Sequence, residues 1–140
     1  MPRTPPTLAA VRVEGIDERH LVQEVDGANF VAFIYIGSGD SDTSWSVYSH
    51  LITDTDLPEV FRWLTEELPS HSDADLDAGT ITCWSLGLVR HPERPTTESD
   101  VDIAWVVGSD VLNTPPASRS SHQQRLADEM LARRHHVTLL

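Results

Sequence analysis

Seven residues, "FVAFIYI" at 30–36, restrict this chain more than any other stretch. Every position but Ala32 is β-branched or aromatic, and none is charged. Alternate residues of a strand point to opposite sides, so this run is expected to be a strand buried on both faces or nearly so. Its neighbours read as partners. "HLVQEV" (20–25) is strand-like and is followed by the turn "DGAN". After the loop "GSGDSDTS" (37–44), "WSVYSHL" (45–51) sets Trp45, Val47, Ser49 and Leu51 against Ser46, Tyr48 and His50. The three runs together predict an antiparallel meander.

The next segment carries the clearest helix signal. Asp56 is placed to cap it, Pro58 fits the first turn, and Glu59 completes an Asp-x-x-Glu form of the capping box. Leu57, Val60, Phe61, Leu64 and Leu68 recur at helical spacing and form one apolar stripe. Arg62, Glu66 and Glu67 lie on the other side, Trp63 toward the flank, and Pro69 is expected to end the helix.

"TITCWSLGLV" (80–89) and "VDIAWVV" (101–107) read as two further strands around the proline-containing loop "RHPERPTTESD". Beyond the break "NTPPASRS", Ser120 and Gln123 open a second helix that ends on Arg133, Arg134, His135 and His136, cations suited to the negative end of a helix dipole. Leu126, Met130 and Leu131 give that helix only a thin apolar stripe. The expected fold is a single α+β domain: about five mostly antiparallel strands, one packed helix and a C-terminal helix. Residues 1–18 read as a loose arm, 19–112 as the core domain, and 113–140 as a linker with the C-terminal helix. A chain of 140 residues can bury such a core without disulfides or metal.

Charge narrows the functional classes. The net charge is −12, and all ten basic residues are arginine. A nucleic-acid binder needs a basic face to neutralise phosphates, so direct nucleic-acid binding is not expected. Residues 54–79 hold one arginine and eight acids, whereas 113–140 hold four arginines and two acids. No apolar run approaches the ~20 residues of a membrane span, and the N-terminus has no signal-peptide pattern. Cys83 is alone, which excludes an internal disulfide and suits a cytoplasmic setting.

Several short patterns mimic functional motifs. His71, Asp73, Asp75 and Asp77 alternate in "PSHSDADLDAG", so in an extended chain they would point one way. An oxygen-rich set favours calcium or magnesium and the histidine a transition metal, so the mixture suits none well. The expectation is a solvated acidic connection and no metal or cofactor. "DSDTSW" (40–45) starts like a calcium loop but has Trp45 at the glycine position and Leu51 at the glutamate position. Cys83 lies mid-strand, where a small buried cysteine is the ordinary reading, and no Gly-x-Ser-x-Gly elbow is present. Trp84 and Trp105 are expected in the core on central strands, and Trp45 and Trp63 at partly exposed positions.

The functional expectation is therefore a non-enzymatic protein-binding module of the inhibitor, immunity or nucleic-acid-mimic kind. Its acidic region would contact a basic protein through Trp63, Glu66, Glu67, Asp73, Asp75 and Asp77. Two alternatives stand beside it. One is a small enzyme or ligand-binding domain with a pocket between helix and sheet, using His50, His71 or Cys83. The other is a subunit whose exposed strand or C-terminal helix completes a homodimer; should the acidic region not be the partner contact, the C-terminal helix with Arg125, Arg133 and Arg134 is the next candidate.

Overall fold

The computed structural model describes residues 11–17, 19, 27–37, 45–71 and 80–137, with the backbone alone for 69–71. The apolar run forms β1 (Ala28–Gly37), which pairs antiparallel with β2 (Ser46–Thr55) on one side and with β3 (Ile81–His91) on the other. Strand β4 (Asp102–Val107) adds antiparallel to β3, giving the order β2-β1-β3-β4. The expected strand at 20–25 lies outside the described residues, so the described sheet has four strands.

Helix α1 (Leu57–His71) and helix α2 (Ser121–Ala132) cover opposite faces of this sheet. Phe30, Ala32 and Ile34 of β1, with Trp84 and Leu86 of β3, pack beneath Val60, Leu64 and Leu68 of α1. The intervening side chains, Tyr35 of β1 and Cys83 of β3, pack with Val111, Leu112, and Ala127 and Met130 of α2. The α+β class holds, and the double burial of the central run follows from its place between two strands and two helices.

Both helix starts use the capping residue legible in the sequence, but only the second forms the full box. Asp56 Oδ1 accepts the Glu59 N–H at 2.9 Å, while the Glu59 carboxylate accepts from Arg62 instead of reaching back to Asp56. Ser120 Oγ accepts the Gln123 N–H at 3.1 Å, and Gln123 Oε1 accepts the Ser120 N–H at 2.9 Å, a complete capping box. Pro69 does not end α1, which continues to His71. A proline this close to the C-terminus forfeits one bond, to the carbonyl four residues back, while its own φ remains compatible with the helix.

Trp84 is in the core at 2% exposed, but Trp105 is not: it is 41% exposed. Its strand looked central from its alternation, yet β4 is at the edge of the sheet formed by the described residues. On the α2 face Trp105 leans on Phe33, with ring centroids 5.1 Å apart. A Cβ on Gly87 would come within 2.6 Å of Ile103 Cδ1, so the close approach of Ile103 to β3 depends on that glycine.

The chain then fastens the layers together. Asn29 accepts the Asp54 N–H and donates to the Glu93 carbonyl, both at 3.0 Å, joining the end of β2 to the β3–β4 connection. β4 pairs with β3 only from Leu86 onward. At the uncovered part of β3, the His135 N–H donates to the Thr82 carbonyl at 2.8 Å, and Trp84 Nε1 donates to the His136 carbonyl at 2.8 Å. Val137 then packs against the α1-side core. The residues after α2 thus tie the second helix layer to the first. Within the described residues no helix is long and apolar enough to cross a membrane.

Candidate functional site

The acidic region begins where β2 gives way to α1. Asp54 and Asp56 are exposed, and Asp56 is occupied as the helix cap. On the outward side of α1, Arg62 donates to Glu59 at 2.7 Å; both are well solvated, so the pair contributes little to stability. One turn further, Glu66 is exposed and Glu67 half-buried. Trp63 is half-buried too, because its ring meets His50 of β2 edge-on at a centroid distance of 4.9 Å. Trp63 is therefore a braced side chain at the margin of the helix–sheet seam, with part of its surface still offered to a partner. His71 closes α1 through its backbone, while its side chain and Asp73, Asp75 and Asp77 lie outside the described residues.

The residues proposed for chemistry are poorly placed for it. Cys83 is fully buried, and burial pushes its thiol up to about 12, far from the thiolate a nucleophile requires. Tyr35 is also buried, and its pKa is raised chiefly by desolvation. Its hydroxyl pairs with Ser85 Oγ at 2.8 Å, which satisfies two buried polar groups in the α2-side layer. His50 Nε2 is buried without a hydrogen-bond partner and faces an aromatic ring rather than a nucleophile. Among the described residues no group of three or more histidine, cysteine or acidic side chains is arranged to hold a metal ion.

A shallow, open groove of ≈ 460 Å³ does form on the other side of the sheet. It lies between β4 and the first turns of α2, lined by Trp105, Val106, Gly108, Ser109, His122 and Leu126. Consecutive residues of a regular strand cannot line one groove; here the ladder skips Val106, pairing Leu86 with Val107 and Gly87 with Trp105. That bulge turns Val106 to the same side as Trp105. Gly108, at φ 66, then takes the chain away beside Met130. His122 Nδ1 accepts from Arg125 at 3.0 Å, so this imidazole is oriented by its neighbour one turn along α2.

Sequence reasoning missed this side because apolar alternation over 101–107 reads alike in central and edge strands. The one available signal was Asp102 at the start of that strand, a charge of the kind used to protect edges. Comparison with known proteins found no matching family, no matching characterised protein and no matching solved structure.

Proposed function

We propose that this chain is a non-enzymatic protein-binding module that presents an acidic surface to a basic partner, in the manner of inhibitor, immunity or nucleic-acid-mimic proteins. One observation carries the reading: α1 and α2 lie on opposite faces of the sheet. The acids of the β2–α1 region (Asp54, Asp56, Glu59, Glu66 and Glu67, against Arg62) therefore gather on one side. The helix on the other side carries both signs, Arg119 and Arg125 beside the exposed Asp128 and Glu129. A surface with a local excess of acids, as on the α1 side, orients a basic partner before contact.

The contact residues in this reading are Trp63, Glu66 and Glu67, continued by Asp73, Asp75 and Asp77. Trp63 supplies an aromatic surface already braced by His50, so little side-chain freedom is lost when it is covered. A cytoplasmic setting belongs to the same proposal, since the single cysteine is a buried thiol.

The test uses the partner retained by the full chain from native lysate, with association and dissociation rates measured at low and high salt. Neutralising Glu66, Glu67, Asp73 and Asp75 together is expected to slow association and flatten its salt dependence, because exposed charges steer over about 10 Å at ordinary ionic strength. Trp63→Ala is expected to shorten the lifetime of the complex instead. Unchanged kinetics in both variants would place the contact elsewhere.

A further inference from the structure

Two unpartnered features of this chain match one another. One is the outer edge of β4, which no described residue pairs and which exposes Val101, Trp105 and Val106. The other is the stretch 11–17, which has no regular secondary structure and exposes Val11 (64%), Val13 (91%) and Ile16 (69%). Apolar side chains this open are ordinary singly, but Val11 and Val13 alternate with Arg12 and so form a strand-like row. Among the described residues Arg12 pairs with Glu14 two residues away, at 3.1 Å, with both side chains strongly exposed. Such a pair gives way at little cost.

We propose that the Val11–Val13 arm of one copy adds as an antiparallel strand to the β4 edge of a second copy. An edge strand offers a row of free backbone donors and acceptors, and an extended segment with alternating apolar residues is its natural complement. One register sets Val11 opposite Ile103, Arg12 opposite Asp102 and Val13 opposite Val101. It puts two apolar pairs on one face and an opposite-charge pair on the other, each of which favours antiparallel pairing. The ladder is short for identifiable reasons: Glu14 would next meet Asp100, a like charge, and on β4 the bulge at Val106 ends the straight part of the strand. β4-to-β4 pairing lacks this complementarity, since Asp102 is the only charged side chain within the strand and would find no cation opposite it.

The rest of the surface opposes association, because each copy carries −12. Contact through a short ladder is therefore expected to strengthen as salt screens that long-range repulsion. This interface is separate from the acidic α1 surface, so it stands or falls independently of the proposed partner binding.

The experiment measures the oligomeric state of the full chain by sedimentation across a concentration series, together with cysteine cross-linking. The wild type is expected to form dimers or larger arm-exchanged species, more readily at ordinary than at low salt. Arg12→Asp and Asp102→Arg should each weaken association by about tenfold or more. The two changes combined in one chain should restore it, which separates the pairing from any effect of either change on folding. Mixing a Val13→Cys chain with a Val101→Cys chain should give a disulfide between the two under mild oxidation, since facing Cβ atoms in a ladder lie close enough. Three results would overturn the proposal. They are a wild type that stays monomeric at every concentration, a link formed within single chains carrying both cysteines, and charge variants whose combination fails to restore association.

Discussion

The two faces of the sheet are built on different terms. Under α1 the layer is predominantly apolar: Phe30, Ala32, Ile34, Val60, Leu64, Leu68, Trp84 and Leu86, with the buried Thr82 on the same face of β3 as Trp84. Under α2 it is mixed, with the Tyr35–Ser85 hydroxyl pair and the Cys83 thiol beside Ala127 and Met130. A fifteen-residue helix with a full stripe closes its side, whereas a twelve-residue helix with a thin stripe leaves Trp105 and Val106 beside an open groove. The comparison teaches that the well-packed face supplies stability and the acidic outer surface, while the lightly covered face retains exposed apolar edge.

The largest effect that would sharpen this contrast is in the α1 layer. Leu64→Ala is expected to cost about 2–5 kcal/mol, since the side chain is completely buried and its removal leaves a cavity. A denaturant midpoint unmoved by that change would break the comparison at its stronger end.

On the other face, Tyr35→Phe is expected to cost about 1–3 kcal/mol by leaving Ser85 without its partner. Adding Ser85→Ala should recover part of the loss, and urea titration of the single and double variants reads this directly. The same face gives the protein an alkaline limit. In the unfolded chain Cys83 ionises near its ordinary value of 9.0, but in the fold only near about 12. Between those values the unfolded state binds fewer protons, so stability is intact below pH 9 and falls as pH rises. The melting temperature should decline more gently in Cys83→Ala over that range. An identical alkaline decline in the two proteins would show that the thiol is not part of it.

Smaller effects concern the ends of the helices and their surfaces. Ser120→Ala removes the acceptor for the Gln123 N–H and should cost about 0.5–2 kcal/mol, lowering the thermal midpoint. Glu66→Gln should change stability by no more than about 0.5 kcal/mol, because the side chain is exposed. A loss comparable to that of Leu64→Ala would mean that the outward face of α1 is structural rather than available for binding.

What the sequence determined by itself was local. The capped start of α1, the Ser120–Gln123 box, the apolar stripe at 57–68 and the strand character of 30–36 all depend on residues within a turn or two. Their period and their polar groups act before the rest of the chain is in place. The buried setting of Cys83 was legible for the same reason. What tertiary structure alone decided was adjacency. Trp84 and Trp105 sit in runs of similar composition, yet one lies on a strand with layers above and below it and the other on the rim. Nothing within either run records which strand becomes its neighbour, because pairing partners are chosen from residues far along the chain. The groove beside α2 and the bracing of Trp63 by His50 arise in the same way, from contacts between elements rather than within them.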